Sequence, residues 1–487
     1  MQVLEPIQIQ LLLPELILAL GGIFVLLCVF ARRESPDLTL YLTLFTIALS
    51  GISLSLASDF RLVSGDRLPL LFMDSFSTYS RAVFLLSSFL VAIFSRPYVE
   101  RERIPSPEYF SLILFSTCGM NLLASARDLL VVFMGLELLS ISLWALTAIH
   151  KRDPRSNEAS LKFFLLSAFA SGFFLYGMAF AFGATGTFSL AGVREETFLG
   201  GFGQTASFVS FGLILVGLGF KVGLVPFHMW IPDVYEGAPT PVTAFLSAGP
   251  KVAGFAALAR ILAWMFPELP YTWESVLAIL ALVTMTFGNL LAIAQEDIKR
   301  MLAYSSIAHA GYMLVGVISL EGAGNAPLLF YFLVYSIMSI GAFSIVLLLE
   351  KRDIPANALT GFSGLSKTNP LVAFSMAVFM IALSGIPPTA GFAGKFYVFG
   401  AAVKSGYVWL AVAGVLNSVI SVFYYLRVVV LMYMREPAEG AAPFKVDSSI
   451  GMVVFISLLG VLLLGLFPHL GSEAFLFRAS EIVSFLR

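Results

Sequence analysis

Apolar residues run along this chain in long blocks, separated by short polar or charged stretches. A bilayer core of about 30 Å takes about 20 helical residues, so runs of about 18 or more read as transmembrane helices. The blocks predict about 14 spans, the first six at 11–31, 39–57, 77–95, 109–126, 129–149 and 160–184. The remaining eight fall at 207–230, 241–264, 273–294, 302–319, 327–349, 370–403, 407–432 and 450–467. The leading residues Met1–Gln10 lack the positive stretch of a secretory signal, so the first block is expected to be a retained span.

The loops between these spans alternate between two sides. One side gathers Arg32, Arg33, Arg96, Arg101, Arg103, Lys151, Arg152, Arg155, Lys299, Arg300, Lys351, Arg352, Lys367, Arg435 and Lys445. The other holds a thinner set: Arg61, Arg67, Arg127, Arg194, Lys404, Arg478 and Arg487. The positive-inside rule makes the first side cytoplasmic and turns both termini outward.

Two spans are interrupted. The seventh reads Leu218-Gly219-Phe220-Lys221-Val222-Gly223-Leu224-Val225-Pro226, and the twelfth Ser384-Gly385-Ile386-Pro387-Pro388-Thr389-Ala390-Gly391, followed by Lys395. Proline removes a backbone donor and clashes with the preceding turn, so both segments are expected to unwind. Irregular backbone at membrane depth persists only inside protein or beside water. The breaks lie five spans apart, and a repeat with an odd number of spans must be inverted relative to its twin. Paired breaks in corresponding halves point to a transporter's ion path. The expected fold class is therefore an all-α integral membrane protein with two inverted five-helix repeats. Its divisions are 1–105, 106–265, 266–434 and 435–487.

Composition agrees: 59% of residues are hydrophobic and only 12% charged, too few to give a soluble domain its polar surface. A net charge of −1, with no basic tail, gives no sign of a nucleic-acid partner. Cys28 and Cys118 both lie in apolar blocks and read as small packed hydrophobes.

Against this background four ionisable residues stand out mid-span: Glu137, Lys221, Lys251 and Lys395. Such a group near the bilayer centre costs roughly 2.5–3.5 kcal/mol on insertion scales, so it rarely sits there without a task. Lysine readily changes its protonation state when buried. The set points to movement of charge across the membrane, protons foremost. Lys221 is the expected partner of Glu137, either as a switching pair or as a static ion pair that fixes helix register. His228 and His309 suit a proton relay, simple hydrogen bonding within the bundle, or ligation of a haem. Lys162 opens the sixth span and either joins the relay or snorkels to the interface. Arg260 and Arg427 read as anchors near span ends, and Glu15 has no assigned role. No Walker loop, G-x-G-x-x-G after a strand or H-E-x-x-H occurs, so energy must come from an ion gradient or a partner.

The stretch Pro226-Phe227-His228-Met229-Trp230-Ile231-Pro232-Asp233-Val234-Tyr235-Glu236-Gly237-Ala238-Pro239-Thr240-Pro241-Val242 resembles the signature of the antiporter-like subunits of respiratory complex I. With Lys251 and Lys299-Arg300-Met301-Leu302-Ala303-Tyr304-Ser305-Ser306, the resemblance is strongest to the subunit N branch of bacterial NADH:quinone oxidoreductases. Lys395, where the subunit M branch typically has glutamate, favours that branch. So does the absence of the lateral helix that lengthens the subunit L branch. The resemblance implies a proton relay of Glu137, Lys221, Lys251 and Lys395, with Lys162 and, less firmly, His228 and His309. It implies proton passage from the cytoplasm to the outside of a bacterial inner membrane, leaving through Lys395 and driven by quinone reduction. NADH, FMN, iron–sulfur clusters and quinone are then expected in partner subunits, with no cofactor in this chain. Homologous antiporter-like subunits and the bilayer are the expected partners. The alternatives are an Mrp-type cation/proton antiporter subunit and a haem-bearing electron carrier.

Overall fold

A computed structural model describes residues 12–28, 36–59, 71–197, 202–265, 271–320, 325–350, 358–437 and 442–471. Met1–Gln10 and the loop cations Arg32, Arg33, Arg61, Arg67, Lys351, Arg352, Arg478 and Arg487 lie outside the described residues. Among the described residues regular structure is helical, and β-type pairing is confined to isolated bridges.

Helix is found at every expected span. The first six are α1 (Leu13–Leu27), α2 (Pro36–Asp59), α3 (Ser75–Arg101), α4 (Ser106–Ser125), α5 (Leu129–Thr147) and α6 (Pro154–Thr185). The short α7 (Leu190–Thr197) precedes α8 (Phe202–Val222), α9 (Trp230–Gly237), α10 (Thr240–Ser247) and α11 (Gly249–Met265). Next come α12 (Tyr271–Ile293), α13 (Ile298–Ile318) and α14 (Ala326–Leu349). The series ends with α15 (Pro370–Ser384), α16 (Ala390–Lys404), α17 (Val408–Met434) and α18 (Ser448–Leu466). Among the described residues eleven helical runs are long and apolar enough to cross a membrane, α10 and α11 counting as one. The other three expected spans coincide with the 15-residue α1, with α4, and with the interrupted pair α15–α16.

Aspartates start several of these helices by accepting from an orphan backbone N–H, as N-caps do. Asp128 accepts from Leu130 at 2.8 Å, Asp153 from Arg155 at 2.9 Å, Asp297 from Arg300 at 2.9 Å and Asp447 from Ser449 at 3.0 Å.

Contacts divide the chain into two compact units. One comprises Met1–Ala92, Val99–Val222 and Gly249–Pro270; the other comprises Ile93–Tyr98, Gly223–Ala248 and Tyr271–Arg487. In the first unit α4 and α5 meet through glycines: a Cβ on Gly119 would lie 2.8 Å from the Gly135 carbonyl oxygen, and one on Gly135 would lie 3.0 Å from that of Gly119. In the second unit α12 and α13 do the same. A Cβ on Gly288 would come within 2.6 Å of the Ala308 nitrogen, and one on Gly311 within 2.6 Å of the Met285 nitrogen. Small residues of this kind let membrane helices approach backbone to backbone.

Both expected helix breaks are present. α8 stops at Val222, before Gly223 at φ +82°, and α15 stops at Ser384, before Gly385 at φ +84°. Each glycine is followed by a cis X–Pro bond, at Val225–Pro226 and Pro387–Pro388. A third break was not expected: the eighth span is divided at Ala248, φ −94° and ψ −96°, into α10 and α11. The break in the twelfth span needs a close return of the chain, since a Cβ on Gly391 would lie 1.8 Å from the Ala382 carbonyl oxygen. Gly391→Ala should therefore destabilise the protein by about 1–3 kcal/mol, as overpacking does. Gly172→Ala, where nothing lies within 4 Å of the added carbon, should be nearly neutral. Thermal unfolding in detergent distinguishes the two.

Candidate functional site: buried lysines at helix breaks

A helix end leaves its last carbonyls without donors, and inside a membrane no bulk water replaces them. The twelfth-span break answers this with Lys395. Gly385 closes α15 in a left-handed turn, its N–H reaching Ile381 and Ala382 at 3.2 and 3.0 Å. The Lys395 Nζ, one turn into α16, then donates to the carbonyls of Leu383 at 3.1 Å and Ser384 at 2.8 Å. Its third bond goes to the Ser418 Oγ of α17 at 2.8 Å. The ammonium also lies 4.9 Å from the Tyr312 ring centre, a cation–π contact. Lys395 thus caps the negative end of a half-helix with all three of its hydrogens placed. Beside it opens an apolar groove of about 620 Å³, lined by residues including Phe392, Phe396, Val412 and Val419.

In the first unit, Lys221 occupies the last turn of α8, again at the negative end of a half-helix. Its Nζ is buried, donates to the Ser140 Oγ of α5 at 2.9 Å and faces the Phe163 ring of α6 at 5.5 Å. Glu137 lies three residues before Ser140 on the same face of α5 and accepts from the Ser171 Oγ of α6 at 2.5 Å. Among the described residues no ion pair within 4 Å joins Glu137 to Lys221. Each charge is instead held by a serine hydroxyl of a neighbouring helix, Lys221 of α8 by Ser140 of α5 and Glu137 of α5 by Ser171 of α6. A narrow gap beside Lys221 is lined by Leu136, Ser167, Ser171, Gly217 and Phe220.

Lys251 is buried in the first turn of α11, three residues past the Ala248 break, at a helix start instead of a helix end. Lys162 is placed differently: it is half-exposed on α6 and pairs with Glu158 at 2.9 Å. His228 lies in the irregular segment after Gly223 and packs edge-on against Phe287, with ring centres 5.1 Å apart. His309, on α13, has both ring nitrogens engaged by tyrosine hydroxyls, Nδ1 with Tyr331 at 2.7 Å and Nε2 with Tyr425 at 3.2 Å. That arrangement counts against a haem iron at His309.

The signature stretch after the first break is tied to α13. Arg300 bonds Asp233 at 2.9 Å and Glu236 at 2.6 Å, while Lys299 donates to the Ala238 carbonyl at 2.6 Å. Val225 N–H reaches the Thr284 hydroxyl at 3.1 Å, and Thr240 donates to Glu350.

Sequence reasoning missed several partners. Glu15 forms a buried ion pair with Arg81 at 2.9 Å. Arg260, expected as an interfacial anchor, is instead buried, ion-paired in bidentate fashion with Asp74 and held over the rings of Phe72 and Phe76 at 4.5 and 4.9 Å. Arg427 donates to the Gln295 carbonyl at 3.1 Å, closing the end of α12.

A helical membrane bundle with buried lysines at its helix interruptions is what the resemblance to antiporter-like membrane subunits implies, and comparison with known proteins places the chain in that class. The profile of the family described as "NADH:quinone oxidoreductase/Mrp antiporter, TM" matches residues 126–421, a span that includes Glu137, Lys221, Lys251 and Lys395. NADH-quinone oxidoreductase subunit N of Trichlorobacter lovleyi is 44% identical over 471 residues, covering 96% of each chain. A chain of respiratory complex I from Thermus thermophilus superimposes with a TM-score of 0.78 at 35% identity, over 94% of this chain and 98% of that one. A chain of the Mrp complex from Dietzia sp. gives a TM-score of 0.85 over 98% of each chain, but at 23% identity this speaks for the fold alone. The chain belongs to the NADH-quinone oxidoreductase subunit N family.

The Asp74–Arg260 pair lends itself to a pH test. Burial pushes the Asp74 carboxyl up, but the Arg260 charge and hydrogen bonds from Arg260 and Ser77 outweigh it and hold the group below its ordinary value of 3.8. With the folded value depressed, the pair's contribution is complete above the ordinary carboxylate range and is lost as pH falls through the lowered value. Asp74→Asn should remove about 3 kcal/mol of stability at neutral pH, as expected when a buried cation loses its partner. Its unfolding midpoint should converge on that of the parent protein in acid.

Proposed function

We propose that this chain is a proton-translocating membrane-arm subunit of an NADH:quinone oxidoreductase, with Glu137, Lys221, Lys251 and Lys395 as its relay. The observation that carries the reading is the placement of the buried lysines Lys221, Lys251 and Lys395 within about one to three turns of a helix break, two of them at the negative end of a half-helix. The identity to subunit N relatives supports the assignment to the complex; the Mrp likeness adds only the shared fold.

In this reading the redox chemistry, with NADH, FMN, iron–sulfur clusters and quinone, resides in partner subunits. A conformational signal from those partners alters the relation of Glu137 to Lys221 across Ser140 and Ser171. Loss of the nearby carboxylate's field, or of a hydroxyl acceptor, favours proton release from Lys221. Lys251 takes the next place, Lys395 delivers to the outside, and Lys162, His228 and His309 are supporting positions. Moving one charge against 100 mV costs about 2.3 kcal/mol. Making or breaking one charge-assisted hydrogen bond changes the balance by about 1.5–3 kcal/mol, so switching one or two acceptors is the right scale.

The arrangement of fourteen spans, with outward termini in a bacterial inner membrane and two inverted repeats over 106–265 and 266–434, is part of the same proposal. The paired glycine contacts of α4–α5 and α12–α13 support it, as do the matching aspartate caps Asp128 and Asp297, each with an isolated bridge, to Ser189 and Ala358 respectively.

Lys221→Ala and Glu137→Ala, introduced into the assembled complex, should each cut redox-driven proton pumping about a hundredfold, the lower end of the range for losing a positioned proton-transfer group. Normal pumping in a fully assembled complex would refute the relay.

A further inference from the structure

One buried amide in the second unit serves neither the relay nor a helix end. Asn289 of α12 is fully buried within a membrane-spanning run, where an unpaired amide is costly. Its Nδ2 donates to the Tyr312 hydroxyl of α13 at 3.0 Å, and to the backbone carbonyl and Oδ1 of Asn417 on α17 at 3.1 and 3.2 Å. Its Oδ1 accepts from the Tyr424 hydroxyl of α17 at 3.0 Å. The amide can face only one way. A backbone carbonyl cannot donate, so the nitrogen must lie toward Asn417 and the oxygen toward Tyr424. Asn417 is fixed in turn, its Nδ2 donating to the Thr286 hydroxyl of α12 at 3.1 Å and to the Ala413 carbonyl at 3.0 Å.

Both ends of this hold bear on Lys395. The Lys395 ammonium lies 4.9 Å from the Tyr312 ring centre, inside the roughly 6 Å over which a ring attracts a cation. Ser418, next in sequence to Asn417, accepts from the Lys395 Nζ at 2.8 Å and donates to the Ser384 carbonyl at 2.9 Å. The other two lysine hydrogens stay within the twelfth span, on Leu383 and Ser384, so Asn289 takes none of them. A ring from α13 and a hydroxyl from α17 are thus tied to one amide on α12. The backbones of α12 and α13 already meet at Gly288, so the amide works from a fixed base.

We infer that Asn289 is a positioning residue for Lys395, setting the Tyr312 ring and the Ser418 hydroxyl against the ammonium from α13 and α17; this rests on the proton-translocation reading above. A carboxamide neither takes up nor releases a proton, so Asn289 acts by geometry alone. The ring attracts the charged amine through its quadrupole and has little hold on the neutral one. Ser418 can accept from the ammonium or donate to the bare nitrogen. How readily the lysine exchanges its proton therefore depends on where these two groups stand. With the amide gone, Tyr312 and α17 lose their common tie, and each can drift from the amine independently. Asn289 makes the surroundings of Lys395 respond as one body when α12, α13 or α17 moves.

The test uses the assembled complex in sealed vesicles, reading redox-driven proton pumping per assembled complex and, separately, the thermal unfolding midpoint. Asn289→Leu keeps the size of the side chain and removes its hydrogen bonds. Its pumping should fall about tenfold, short of the roughly hundredfold that a misplacement of about 1 Å can cost. Tyr312→Phe keeps the ring and cuts only its tie to Asn289, so pumping should fall at least about twofold. The double variant should pump like Asn289→Leu alone, because that tie is already gone. Tyr424→Phe is the structural control. It leaves the amide oxygen unpaired and should lower the unfolding midpoint, yet the amide hydrogens stay engaged and pumping should be normal. Normal pumping in Asn289→Leu, alongside an impaired Lys395→Ala complex, overturns the positioning role and leaves the relay standing. A loss in Tyr424→Phe equal to that in Asn289→Leu also overturns it, as does a double variant in which the two losses multiply, since the network would then act by packing. Normal pumping in Lys395→Ala would instead refute the underlying reading. Should Asn289→Leu fail to assemble, Tyr312→Phe decides against the same control, and normal pumping there overturns the inference.

Discussion

A backbone carbonyl that ends a helix inside a membrane must find a donor, and in this protein a lysine supplies it. Lys395 bonds the carbonyls of Leu383 and Ser384 where α15 stops, with Ser418 completing the cage. Without such a donor the break would expose unpaired acceptors in a medium that cannot hydrate them. Without the break, the lysine would be an ammonium among apolar side chains. Each defect offsets the other. The first unit solves a related problem with different parts: Lys221 rides on the last turn of α8 and reaches across to Ser140 of α5.

The breaks are held in place by anchors some distance from the lysines. The stretch after Gly223 is fastened to α13 by Arg300 and Lys299, a basic pair that the fold brings against the acidic, proline-rich stretch. In the first unit Asp74 fixes the far end of α11 through Arg260, and Glu15 ties α1 to Arg81 of α3. These pairs carry buried charge without lying at a break. Each charge has an opposite charge beside it, so the pairs read as joinery that lets the lysine sites stay irregular without loosening the bundle.

Much of the fold was legible because the bilayer leaves few options: apolar runs near twenty residues had to be helices, and Gly223-Leu224-Val225-Pro226 and Gly385-Ile386-Pro387-Pro388 had to interrupt them. The division at Ala248 was missed although Gly249-Pro250 was in plain view. Proline in a first helical turn is favourable, so the same letters mark a helix start as readily as a kink. The lysines stood out because charge is rare in such a chain. Their partners did not, because serine is common in membrane helices and periodicity says nothing about which helix lies opposite. Ser140 was the exception in principle, being one turn from Glu137 on the same face. Asp74 and Arg260 are 186 residues apart, and the tyrosines around His309 come from different helices, so only the tertiary structure brings either group together.

The saturation of the Lys395 amine ties chemistry to shape. An ammonium with three occupied hydrogens that gives one up is left with a lone pair aimed at an oxygen lone pair, and the two repel. Under the proposed relay, loss of that proton would call for a swivel of the amine, a turn of the Ser418 hydroxyl so that it donates, or a shift at the end of α15. Occupancy of the proton and posture of the kink would then be coupled, and a mechanical push on the kink would act in the same sense as a change in local acidity.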